Sequence, residues 1–413
     1  MKSKNHLDLR KFQKIERIDQ SEISEFFKVE EQTTKKIYAA IISLIPINSH
    51  EEMQNFSHEI NRNISINHPS ILKSIGYSPT NFENESKPVI ITEFEQNGSL
   101  SNIISLERQS ILIEGWDDTK KLITIYGIAS GMTYLRKNKL LNYDLNPQNI
   151  LMDSILLPKI SNYCFFQKLI KNSETKHIKS IYIAPEIFES EASNVYSFGL
   201  IIYVLLTTKI PFENLNSSEI YQKVVIEHHR PSFDEKINEA YKNLIERCWS
   251  QEPEKRPSFA QITDELEKNE EFISESVEKD EFISYIEFIK QYMDDYDEKK
   301  IIKFDDFIRN KDSKTFRQID IRCLDQNMQL QHLKQQEKQL TEEEETEKLQ
   351  IQKHLKDEQN EQQPQQQLEE DQKISNQKLN EERKEKQFLL QQLEEEQNQQ
   401  LSRQQLNEEE REQ

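Results

Sequence analysis

Residues 140–166 read LLNYDLNPQNILMDSILLPKISNYCFF, and the order of residue types in this stretch decides the fold. Asp144 is followed five positions later by Asn149, with the turn-forming run Asn146-Pro147-Gln148-Asn149 between them. A pair of short apolar strands follows, and then a polar-aromatic turn at Asn162-Tyr163-Cys164. An acid and an amide at fixed spacing, held by a turn beside a strand pair, form a compact polar constellation rather than a stretch of core.

Upstream, residues 12–95 alternate short β-like runs (FQKIERI, SEFFKVEE, KIYAAIISLI, PVIITEF) with one helix-compatible stretch from His50 to Asn63. Residues 100–268 read as mostly helical. In 271–293, Phe282, Ile283, Ile286, Ile289, Tyr292 and Met293 recur at helical spacing and predict one apolar face; a second short helix carries Phe304, Phe307 and Ile308. From Gln331 to Gln413 there are 12 basic and 22 acidic residues, a net of −10, together with 23 glutamines. The pattern suits a coiled coil or a disordered low-complexity tail.

The whole chain has 413 residues and a formal net charge of −20, which argues against nucleic acid or an anionic membrane surface as the main partner. Mean hydropathy is −0.85, too polar for a chain that is globular throughout. The longest apolar run, 198–206, is too short to span a bilayer, so membrane insertion is not expected. Three scattered cysteines indicate neither a disulfide framework nor a zinc site, and a reducing, cytoplasmic location is expected. Glycine is scarce: there are 6, where average usage of ~7% gives roughly 29. None precedes Gly76, so no glycine-rich phosphate loop lies in the first 75 residues.

The stretch 140–166 resembles the catalytic loop and metal-binding turn of a protein kinase. The resemblance extends through TEFEQNGSLSNII as hinge and following helix, GWDDTKKLITIYGIASGMTYL as the long helix before the loop, IYIAPEIF, NVYSFGLIIYVLLTTKIPF and CWSQEPEKRPSF. It is nearest to the tyrosine-kinase-like group, in the form found in parabasalid protists. The implied fold is α+β and bilobal, with a small β-rich N-lobe (12–95) and a larger helical C-lobe (96–268). A helical extension (269–310) packs on the C-lobe, and the Gln/Glu/Lys-rich coiled-coil or disordered tail covers 311–413.

Carried over residue by residue, Asp144 matches the base position, Asn149 a metal-ligand position and Glu59 the helix glutamate. Ala39 and Leu151 match the residues that sandwich adenine, Thr92 the gatekeeper, and Glu93, Phe94 and Glu95 the hinge. Glu186 and Arg256 match the internal ion pair of the large lobe, and Asn194 stands for its buried aspartate. The departures concern phosphate and metal. Asp19, Ser21 and Ser24 occupy the positions of the loop glycines, and Ile41 that of the strand lysine, which leaves Glu59 without its usual partner. Asn142 and Tyr143 replace His-Arg, Asn146 replaces the loop lysine, and Asn162 and Cys164 replace the aspartate and glycine of the metal turn. Asn63 and Asn142 introduce amides into an apolar interlobe stack. Lys28, on the neighbouring strand, is the one conceivable substitute cation.

ATP and Mg²⁺ are implied by family resemblance only; the residues themselves assign no cofactor and no metal site. The reading that follows is a catalytically impaired pseudokinase serving as a signalling scaffold or allosteric partner of proteins such as another kinase, with self-association through the tail. The alternatives are an active Ser/Thr protein kinase with atypical nucleotide handling, and a coiled-coil structural or interaction protein.

Overall fold

The computed structural model describes residues 5–21, 23–140, 142, 144–161, 181–186, 190–233, 237–293 and 303–310. Tyr143, Asn162, Cys164 and the tail 311–413 therefore lie outside the described residues. The N-terminal part is a five-stranded antiparallel sheet of order β1-β2-β3-β5-β4: β1 (Phe12–Gln20), β2 (Ser24–Glu31), β3 (Ile37–Ser43), β4 (Ser74–Ser78) and β5 (Val89–Glu93). Helix α1 (His50–Ile64) interrupts it in sequence. Ser49 caps α1 through a capping box with Glu52, which satisfies free N–H groups at its first turn.

Strand alternation gives the sheet two working faces. On one, Ile41 and Ile90 meet Phe56 and Ile60 of α1, with Ile23, Phe26 and Met53 packed around them. On the other, Val29, Ala40, Ile42, Val89 and Ile91 meet Leu9 and Phe12. The sheet recruits residues ahead of position 12. Leu7 N–H donates to Tyr77 O at 2.8 Å, and Tyr77 N–H donates to Asn5 O at 3.0 Å. Residues 5–7 thus pair alongside β4 through a short parallel bridge, His6 with Tyr77.

The larger part contains α2 (Leu100–Arg108), α3 (Asp118–Lys137), the two-stranded ribbon β6 (Ile150–Met152) and β7 (Pro158–Ile160), α4 (Glu191–Thr207), α5 (Ser217–Tyr221), α6 (Glu239–Cys248), α7 (Phe259–Lys268), α8 (Lys279–Lys290) and α9 (Phe304–Asn310). α3 is buried over nearly its whole length, from Thr119 to Leu135. α4 contains the apolar run noted above and is equally enclosed. One continuous core joins α3, α4, α6, α7, α8 and α9.

Two details of the extension differ from the sequence reading. α8 starts at Lys279, after a 3-10 turn at Glu270–Phe272, rather than at 271. Ile283 is 39% exposed, whereas Tyr285 and Phe288 are buried. The helix is enclosed from two sides: Tyr285 meets Tyr126 of α3, and both Tyr285 and Phe288 meet Phe304 of α9. Its buried arc is therefore wider than a single stripe.

Candidate functional site

The candidate site residues lie on β3, on the segment following β5 and in the loop before β6. On β3, Ile41 is directly opposite Phe26 and Ile90, and Ala39 is opposite Lys28 and Thr92. These six side chains share one face of the sheet. Ile41 is buried and closes an apolar cluster where the resemblance calls for a cation. Lys28 is at the other end of this face. Its amine is 3.2 Å from Glu16 Oε1 and 5.2 Å from the Phe94 ring centroid, so it is tied to the hinge side rather than to Ile41.

Glu59 is not left without a partner. It reaches Arg62 at 3.8 Å, one turn along α1, where i,i+3 side chains are neighbours. Phe56 and Ile60, rather than Glu59, contribute to the cluster around Ile41. At the β1–β2 turn, Ser21 closes the hairpin: its N–H donates to Ser24 O at 2.8 Å, and its Oγ accepts from Ser24 N–H at 3.0 Å. Asp19 is exposed and caps Gln20 N–H at 2.7 Å. Ser24 is buried rather than part of the solvated turn.

The hinge runs from Thr92 through Glu95. Thr92 is buried, and its hydroxyl donates to Glu93 O at 3.0 Å. Gly98 has φ +64°, a left-handed conformation that favours glycine, and its carbonyl accepts from Met152 N–H at 2.8 Å. Ser99 bridges to Leu151, and Asn97 Nδ2 donates to Asp153 O at 2.6 Å. Leu151 is thereby fixed beside the segment 97–99.

The polar loop is held by its own side chains. Asn146 Nδ2 donates to Asp144 Oδ1 at 2.7 Å, and Asn149 Nδ2 donates to Asp144 Oδ2 at 2.9 Å and to Asp144 O at 2.9 Å. Asn146 Oδ1 accepts from Gln148 and Asn149 N–H, which caps the 3-10 turn Pro147–Asn149. Asn142 Oδ1 accepts from Asp144 N–H at 2.8 Å, while Asn194 Nδ2 on α4 donates to Asn142 O at 2.9 Å. Burial raises the pKa of Asp144 from its ordinary value, against the opposing pull of Asn146 and Asn149.

Below this loop, Arg256 is fully enclosed and makes a two-pronged ion pair with Glu186, at 2.7 and 2.9 Å. Two further features lie around the site, the first at the two amides that the sequence reading singles out. Asn63 is 0% exposed, and neither amide atom has a partner among the described residues; Asn142 Nδ2 is likewise buried without one. Behind the hinge, Lys73 donates to the carbonyls of Ile64 and Ile66, and burial lowers its pKa. The role of Lys73 has no signal in sequence, because it depends on what surrounds the residue.

Among the described residues, Ile41 offers no charge to a nucleotide's phosphates, and Asn149, at the position the resemblance gives to a metal ligand, is a neutral amide whose nitrogen donates to Asp144. No helix among them is long and apolar enough to cross a membrane.

The family of protein tyrosine and serine/threonine kinases matches residues 12–266. Dual specificity protein kinase pyk3 of Dictyostelium discoideum is 27% identical over 266 residues, which cover 63% of this chain and 18% of that protein. Serine/threonine-protein kinase CTR1 of Arabidopsis thaliana is 32% identical over 229 residues, covering 52% and 27%. Serine/threonine/tyrosine-protein kinase HT1 of the same plant is 28% identical over 254 residues, covering 58% and 62%. The chain thus spans less than two thirds of each of these relatives, which include kinases of the tyrosine-kinase-like kind. With a bilobal fold in place and the match running through both lobes, the chain belongs to the protein tyrosine and serine/threonine kinase family.

Proposed function

We propose that this chain is a catalytically impaired member of the family, a pseudokinase that acts by binding another protein rather than by transferring phosphate. The observation that carries the reading is the loop around Asp144: Asn146, an amide where the resemblance expects a lysine, and Asn149 each donate to one oxygen of the carboxylate, so its neighbours supply no positive charge for a transferred phosphate. Ile41 in its apolar cluster supports it, because phosphoryl transfer rests on charge that offsets the phosphates. Asn162 and Cys164 remove a further carboxylate and a further glycine at the sequence level. Each such loss costs several kcal/mol of transition-state stabilisation, so together they leave little activity. A retained fold is compatible with this, since fold and activity are separable.

The same reading includes the degenerate, parabasalid-type form of the tyrosine-kinase-like group, a cytoplasmic location, and protein partners engaged through the folded surface. Self-association through 311–413 also belongs to it.

The test uses the full-length protein. Thermal unfolding is followed with ATP, with and without Mg²⁺ or Mn²⁺, and transfer from γ-labelled ATP is measured beside Asp144→Ala. The expected result is no metal-dependent shift and no transfer above the Asp144→Ala background. Metal-dependent stabilisation together with transfer that vanishes in Asp144→Ala would instead establish an active kinase.

A further inference from the structure

The family match ends at residue 266, yet the core does not. Residues 270–310 contribute Phe272, Phe282, Tyr285, Phe288, Ile289 and Phe304 to it. Their placement is specific. Lys120 on α3, nearly enclosed, pairs with Glu281 at 2.8 Å, and Lys290 pairs with Glu267 on α7 at 2.6 Å. Tyr126 of α3 makes edge contacts with Phe282 and Tyr285.

Tyr285 reaches further than the helix it packs on. Its hydroxyl is 3.0 Å from Ser70 Oγ, and both groups are buried. Ser70 lies in the turn between α1 and β4, on a small-lobe segment 215 residues away in sequence. That turn is itself stitched to β7. Ile160 N–H donates to Ser70 O at 2.8 Å, Leu72 N–H donates to Ile160 O at 2.9 Å, and Ile71 bridges Ile160. Inside the turn, His68 Nδ1 accepts from Ser70 N–H at 3.1 Å, and its ring rests against Tyr134 of α3.

α3 makes room for this junction. A methyl group at Gly127 would lie 2.6 Å from Pro158 Cγ, 2.7 Å from the Tyr285 hydroxyl and 3.2 Å from Ser70 Oγ. One at Gly131 would lie 2.8 Å from Ile160 Cδ1 and 3.4 Å from Ser70 O. Two glycines one turn apart thus receive three elements at once: the α1–β4 turn, β7, and the tyrosine of α8.

We infer that residues 270–293 and 303–310 form a built-in brace that sets the position of α1 and β4 against β7, with the Tyr285–Ser70 hydrogen bond as its catch. β7 belongs to the large lobe and the α1–β4 turn to the small one, so the brace links the extension to both lobes. Tyr285 acts here as a positioning residue, and the inference holds whether or not the cleft transfers phosphate.

The test is hydrogen–deuterium exchange on the full-length protein, comparing wild type with Tyr285→Phe, Ser70→Ala and the double variant. Loss of one buried hydrogen bond corresponds to about tenfold faster exchange where opening depends on it. The brace predicts that acceleration in residues 66–78 and 158–161 for either single variant, with little added in the double. Acceleration confined to 279–293, or additive effects of the two changes, would overturn it and leave α8 as local packing. Should Tyr285→Phe fail to fold, Ser70→Ala reads the same bond from its other end. Unchanged exchange at 66–78 in that variant would equally overturn the brace.

Discussion

Asn146 donates its side-chain amide to Asp144 Oδ1 at 2.7 Å, two residues back along the same turn. With Asn149 on the second oxygen, Asp144 organises the loop instead of presenting a free base. Asp144→Ala strands two amide donors and removes two charge-assisted bonds, which costs about 2–3 kcal/mol. The expected outcome is a Tm lower by roughly 5–10 °C, read by thermal unfolding of the full chain. An unchanged Tm would show that the carboxylate does not hold the loop.

Ile41 is set for packing, not for charge. It is 7% exposed among Phe56, Ile60 and Ile90. Ile41→Lys removes an apolar side chain from the cluster and inserts an ammonium, and a loss of about 2–5 kcal/mol is expected. Adding Asn162→Asp restores a metal carboxylate at the sequence level. The double variant is then expected to gain Tm with ATP and Mg²⁺ while wild type does not. No nucleotide effect in the double variant would place the lysine position elsewhere on the small lobe.

Asn63 is the opposite case, an amide where the surroundings give it no partner among the described residues. A buried polar group left unpaired costs about 1–3 kcal/mol. Asn63→Leu keeps the branching of the side chain and removes the two polar atoms, so Tm is expected to rise by several degrees. A fall would mean that the native amide is held by a group the substitution disrupts.

These cases mark which features a sequence can carry. β1, β2, β3 and β5 are legible because their apolar runs are local. β4 is not: it is five residues long, and a methyl group at Gly76 within it would lie 2.7 Å from Asn5 O and 2.6 Å from Leu7 Cγ, a packing decided by residues about 70 positions away. Along the site, residue types are readable at Asp144, Asn149 and Ile41, because chemistry depends on type. The amides that close on Asp144, the Arg62 partner of Glu59 and the contact of Tyr285 with Ser70 are not readable, since each is a matter of distance between side chains. The buried arc of α8 is misread for the same reason, as two neighbours enclose it instead of one.

Glu95 gives the hinge a pH dependence whose sign is fixed by its surroundings. Its pKa is raised from 4.5 to about 7, first by burial and further by Asp153 and Glu93, against the opposing charges of Lys159 and Lys303. Below pH 4.5 the folded and unfolded chains both carry this proton. Between 4.5 and 7 the folded chain holds it more tightly, so stability falls as pH rises through that window and levels off above 7. The fall amounts to about 3 kcal/mol at most. Glu95→Gln stays neutral throughout and removes it. His68, whose pKa burial and Lys159 lower to about 3, acts in the other direction: stability drops as pH falls below the unfolded value near 6.5. That slope is common to both proteins and cancels in their difference. Urea midpoints for wild type and Glu95→Gln at pH 5 and pH 7.5 are therefore expected to show a stability advantage of the variant that grows with pH. An advantage that stays constant between the two conditions would remove Glu95 as the source.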